Sequence, residues 1–85
     1  MLMEYICALF INQEYVYLCS FHPIVWTDTK IDARRFYTER ELLEEVDEIK
    51  DKLKLELHDG DLYILGVKDN IAIYKKEIDL ENIIL

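Results

Sequence analysis

The chain has 85 residues, 52% of them hydrophobic and 12% aromatic, and 18 acidic side chains outnumber 10 basic ones for a formal charge of -8. Hydrophobicity at this level excludes a disordered chain, and the acidic balance excludes the basic stripe that direct binding to nucleic acid or anionic lipid requires. A single domain of this size buries only about 60 to 65% of its unfolded surface, so an added interface, including a homodimer, would contribute stability.

Apolar runs such as residues 5–11 are too short to span a bilayer, and the N-terminus lacks the basic start and small-residue cleavage site of a signal peptide. Two cysteines without an Asn-x-Ser/Thr acceptor agree with a reducing compartment. A cytoplasmic protein without membrane contact is the expectation. Abundant Ile, Lys, Glu and Tyr beside scarce Ala, Gly and Pro fits an AT-rich coding sequence of the kind found in low-GC bacteria and their phages.

Residues 5–11 and 15–21 are rich in β-branched and aromatic side chains and flank the polar Asn12, Gln13 and Glu14, which predicts a β-hairpin. Residues 22–37 have no clean period; Ile24, Val25, Trp26, Ile31 and Phe36 are the expected apolar anchors of an ordered connection, with a short extended piece at residues 24–27. Thr38 and Glu41 make a Ser/Thr-x-x-Glu capping box. Leu42, Val46, Ile49 and Leu53 then recur at spacings of four, three and four, so a helix is expected over residues 39–52. Leu43 widens its apolar stripe, while Glu44, Glu45, Glu48 and Asp51 fall on the solvent side.

Leu53, Leu55 and Leu57 alternate with Lys54, Glu56 and His58, which predicts a half-buried strand turning at Asp59-Gly60. Strands at residues 62–67 and 71–76 follow, separated by Lys68, Asp69 and Asn70. Residues 79–85 either close as a helical turn burying Leu80, Ile83 and Ile84 or lend a strand to a neighbour. The expected fold is α+β: an antiparallel sheet of about five strands, ordered as hairpin, helix and three-stranded meander, with one amphipathic helix on one face. With six tyrosines spread over the strands, the far sheet face is then open to solvent, a partner or a second copy.

Chemistry-bearing constellations are few. A three-residue loop in the first hairpin sets Cys7 opposite Cys19, whereas a two-residue loop breaks that match. With His22 three residues after Cys19, the paired arrangement offers three zinc ligands or a redox pair, but a structural zinc site needs a fourth ligand and the other histidine, His58, lies at a distant turn. Two core thiols are therefore expected, with no metal or other cofactor. One serine and two separated histidines give no triad spacing, and no phosphate-binding, dinucleotide or zinc-protease motif is present, so no enzymatic activity is expected. Asp59, Asp61 and Asp69 read as turn residues rather than a catalytic carboxylate pair.

Residues 39–61 hold ten acids and four bases, hence -6 of the total -8. A solvated helix face with i to i+4 pairs explains this distribution. The sharper reading is a row of carboxylates, Glu41, Glu44, Glu45, Glu48 and Asp51, that imitates phosphates and enters the basic groove of a nucleic-acid-binding protein. Trp26, Arg34 and Arg35 join the candidate contact residues, because Trp and Arg are enriched at interface hot spots; in the packing alternative Trp26 pins the loop and an arginine pairs with Asp28 or Asp32.

The run Trp26-Thr27-Asp28, followed by Ala33-Arg34-Arg35-Phe36 and Thr38-Glu39-x-Glu41, resembles a pattern in small phage and prophage proteins in which a short hairpin precedes an Ala-x-x-Phe turn into an acidic helix. The resemblance covers about the first half of the chain and names no activity. It implies a setting in which small acidic proteins inhibit host machinery such as CRISPR nucleases, restriction enzymes and RNA polymerase. The leading expectation is a non-catalytic inhibitor that binds a host protein with a basic surface, in the host cytoplasm; the alternative is a self-associating structural or regulatory module.

Overall fold

The structure, a computed structural model, describes residues 2–57 and 59–85. The expected turn residue His58 lies outside them. Five strands, β1 (Glu4–Ile11), β2 (Glu14–Phe21), β3 (Ile24–Thr27), β4 (Asp61–Lys68) and β5 (Ile71–Glu77), form one open antiparallel sheet in the order β3-β2-β1-β4-β5. Two helices, α1 (Glu39–Glu48) and α2 (Lys50–Glu56), cover one face. The fold is α+β, as the element pattern predicts.

The β1–β2 and β4–β5 hairpins close on two-residue turns with positive φ. Asn12 and Gln13 have φ of 53° and 67°, and Asp69 and Asn70 have φ of 51° and 63°. Positive φ at both central positions matches the right-handed twist of the flanking strands. In the first hairpin Ile11 therefore faces Glu14 and Ala8 faces Tyr17, which leaves Cys7 out of register with Cys19. Cys7 is buried in the helix-side core, and burial pushes its thiol well above the ordinary value. Cys19 is half-buried, and its Sγ donates to the Val25 carbonyl at 3.4 Å.

Alternation along the central strands sorts their side chains onto two faces. Cys7, Leu9, Leu18, Leu62 and Ile64 meet Leu42, Val46, Ile49 and Leu53 from the helices, while Ile6, Ala8, Tyr17, Leu65 and Val67 form a second cluster on the far face. Gly66 suits the helix side of β4 for a specific reason: an added Cβ would lie 2.7 Å from Met3 Sδ and 3.0 Å from Tyr74 Cβ.

Of the run predicted as the first strand of a meander, residues 53–56 are helical and Leu57 is the extended C-cap. α1 ends at Glu48, the chain kinks at Ile49, and α2 continues to Glu56. The physical reason lies in the neighbouring residues: Ile49 and Leu53 extend the apolar stripe of α1, and Leu57 joins it four residues on as a half-buried contact. Leu55, which a period of two would bury, is 76% exposed. Leu, Lys and Glu all favour helix, and the fifth strand is supplied instead by residues 24–27. Asp59-Gly60 consequently leads from α2 into β4 rather than joining two strands. Gly60 has no positive φ, but an added Cβ would lie 2.5 Å from Leu9 Cδ1.

The connection after β3 has an unexpected path. β1 and β2 pair only between residues 8–11 and 14–17, and beyond that point residues 34–36 enter the fork between them. Arg34 N–H donates to the Leu18 carbonyl at 2.9 Å, and Phe36 exchanges two backbone hydrogen bonds with Tyr5 at 2.8 and 2.9 Å. Ala33 packs in the far-face cluster and Phe36 in the helix-side core, as alternation along an extended segment requires. At the C-terminus, Asp79 accepts from Glu81 N–H and Asn82 N–H in a single turn without helix. Leu80 and Ile83 pack on the helix-side core, whereas Ile84 remains exposed.

Candidate functional site

Thr38 opens α1 as expected. Its Oγ1 accepts from Glu41 N–H at 3.1 Å and also lies 3.1 Å from the Glu41 carboxylate. This cap fixes the phase of the helix: Leu42 and Val46 turn inward while Glu41, Glu44, Glu45 and Glu48 form its outer side. The carboxylates border a shallow groove of about 300 Å³ whose other wall is Arg34, Arg35, Phe36 and Tyr37.

The two arginines diverge because residues 33–36 are extended and alternate. Arg34 shares the helix side with Phe36. Its guanidinium lies over the Phe36 and Phe21 rings, 5.2 and 5.8 Å from their centroids, and reaches Glu45 Oε1 at 3.6 Å. Arg35 sends its guanidinium the other way, donating to the Lys30 carbonyl at 3.0 Å and to Asn70 Oδ1 at 2.7 Å, with Glu4 at 3.9 Å. These partners replace the Asp28 or Asp32 pairing considered from the sequence.

The structure thus gathers Glu41, Glu44, Glu45, Glu48 and Arg34 around one groove, with Arg35 contributing to its wall but directing its charge elsewhere. Asp51 is exposed on α2 and does not line the groove. Trp26 lies opposite Leu18 in β3 and packs half-buried against the helix-side core, again apart from the acidic row. Internal bases offset part of that row, since Arg40 lies 3.6 Å from Glu44 and Arg34 the same distance from Glu45.

His22 completes the arrangement. It stands in the turn between β2 and β3, and its Nε2 is 3.8 Å from Glu45 Oε2 and 3.5 Å from Glu48 Oε2. Sequence spacing places Glu45 and Glu48 on one helix face, but the approach of His22 depends on the β2–β3 turn and the docking of α1, neither of which a local pattern contains.

The opposite sheet face presents a second groove, about 380 Å³, between Tyr15, Tyr17, Leu65 and β5. Lys75 Nζ sits over the Tyr63 ring at 4.8 Å and donates to Tyr15 Oη at 3.4 Å. Burial, followed by the neighbouring Tyr15, raises the Tyr17 phenol above its ordinary value. At the helix side of β5, Tyr74 donates to Glu39 at 3.2 Å; loss of solvation and that carboxylate raise its phenol as well. Among the described residues, no helix is long and apolar enough to cross a membrane.

No protein-family model matches the sequence, and neither a curated protein nor a solved structure matches it.

Proposed function

We propose that the protein is a small non-catalytic binding module that presents the outer face of α1 to a basic surface on a partner protein. The observation carrying this reading is the row of Glu41, Glu44, Glu45 and Glu48 along one groove, within a segment that holds most of the net charge. Carboxylates at successive helical turns offer a spaced anionic array to a groove that ordinarily receives phosphates. Steering between opposite charges accelerates association and weakens with salt. A host nucleic-acid-binding protein, inhibited by occupation of its basic groove, is the partner class this chemistry favours, and the resemblance to small acidic phage proteins leads to the same reading.

The experiment compares a tagged wild-type chain with a Glu41→Lys/Glu44→Lys/Glu48→Lys variant in pull-downs from a low-GC bacterial lysate. Glu45 is left intact because Arg34 and His22 contact it. The expected outcome is one nucleic-acid-binding protein retained at low salt, released at high salt and lost from the variant, with far-UV circular dichroism unchanged. Retention that ignores both salt and charge reversal, or recovery of no partner, would overturn the reading.

A second reading has its own support. β5 is an edge strand whose seven residues are all exposed, with Ile71 and Ile73 among them. An uncovered edge of this kind is a template for pairing with another strand, including that of a second copy.

A further inference from the structure

We infer that His22, Glu45 and Glu48 form a binding site for a divalent transition cation, with zinc the best match to the donor set. The inference goes beyond the partner reading, with which it shares Glu45 and Glu48, and rests on one imidazole nitrogen and two carboxylates brought together by two separate elements. Their candidate ligand atoms all lie within 4.8 Å of one another.

The two separations from His22 are close to what a tetrahedral ion imposes. Zinc bonds to nitrogen and oxygen of about 2.0 to 2.1 Å place ligand atoms about 3.3 Å apart. The two Nε2 to Oε2 distances, 3.5 and 3.8 Å, exceed that by a few tenths of an ångström. Small side-chain rotations close the difference, since the His22 and Glu48 side chains are 55% and 65% exposed.

The surroundings supply the support that metal-bound carboxylates usually have. Arg34 approaches Glu45 through Oε1 and leaves Oε2 directed at His22. Arg34 is itself held by the Phe21 and Phe36 rings and by its backbone bond to Leu18. Glu45 and Glu48 lie three residues apart on one face of α1, and His22 meets them from the β2–β3 turn. Three protein ligands leave the fourth position for water. An imidazole with two carboxylates suits zinc better than the all-oxygen sets preferred by calcium and magnesium. A bound ion would clamp the β2–β3 turn onto α1.

The test is calorimetric titration of zinc chloride into chelator-treated protein at neutral pH, with thermal unfolding measured beside it. The expected result is saturable one-to-one binding that raises Tm. His22→Ala and Glu48→Gln should each weaken binding by more than the ~10-fold typical of losing a supporting residue, and abolish the zinc-dependent rise in Tm. Both positions are exposed, so circular dichroism of the variants without metal should match the wild type. Cys19→Ser should bind as the wild type does. Absence of saturable binding overturns the assignment, as does binding that survives in His22→Ala and Glu48→Gln or disappears in Cys19→Ser.

Discussion

Residues 53–57 alternate leucine with charged side chains without a fault and are helical through Glu56, whereas residues 71–77 alternate poorly and form a strand. The difference shows that a period of two is decisive only when nothing adjacent offers a better use for the same side chains. Leu53 is four residues from Ile49 and Leu57 four from Leu53, so the helical stripe begun at Leu42 continues through the run. β5 has no such stripe to extend. It follows a turn whose two residues already hold positive φ, its isoleucines are β-branched, and the edge of β4 offers backbone partners from Tyr63 to Lys68.

The largest test of this contrast compares two leucines in urea unfolding. Leu53 is fully buried, so Leu53→Ala should cost about 2 to 5 kcal/mol, whereas Leu55→Ala at an exposed helical position should stay within about 0.5 kcal/mol. A strand with period two would bury both. Equal losses at Leu53 and Leu55 would therefore contradict the helical assignment.

On the strand side, the β4–β5 hairpin depends on the backbone at Asp69, where φ is 51°. Asp tolerates this region through its short polar side chain, but a β-branched residue does not. Asp69→Val should destabilise the protein by about 1 to 3 kcal/mol, read as a lower urea midpoint with unchanged slope. A neutral result would show that β5 holds its place through pairing with β4 without help from the turn.

The helical run begins at the Thr38 cap. Removing its hydroxyl in Thr38→Ala should cost about 1 kcal/mol, because Glu41 N–H loses its acceptor at the start of α1. A larger loss accompanied by reduced helical circular dichroism would mean that the cap also sets the phase in which Leu53 reaches the core.

What could be read from the sequence divides along the same physical line. The first hairpin, the extended piece at residues 24–27, the capping box and the strands on either side of Asp69-Asn70 all follow from neighbours in the chain, and each is present. The misread strand at residues 53–57 also had a local signal, but the continuing stripe from Ile49 outweighed it. The site divides similarly: Glu41, Glu44, Glu45 and Glu48 were legible as one row because i to i+3 and i to i+4 spacing defines a helix face, whereas Asp51 falls beyond the break at Ile49 and leaves the row. The opposed directions of Arg34 and Arg35 were not legible, because they follow from passage of residues 33–36 through the fork between β1 and β2, a tertiary event. Trp26 stood out in composition as the single tryptophan, yet its strand register places it against the core.

The smallest effect on stability is expected at Ile73, and it bears on function. Ile73 is 56% exposed on β5 and borders the groove with Tyr15 and Tyr17. Ile73→Lys should change folding stability by no more than about 0.5 kcal/mol, since little apolar contact is removed. Lysine on an edge strand opposes pairing with a second strand by placing a charge where another copy would pack. Sedimentation velocity of the wild type and Ile73→Lys then separates the two functional readings. A dimer that becomes monomeric in the variant assigns self-association to the β5 edge, whereas a monomer in both leaves the acidic face of α1 as the interaction surface. A stability loss above about 1 kcal/mol would instead show that Ile73 is covered in solution, and the contrast between a buried α2 stripe and an uncovered β5 would fail at that residue.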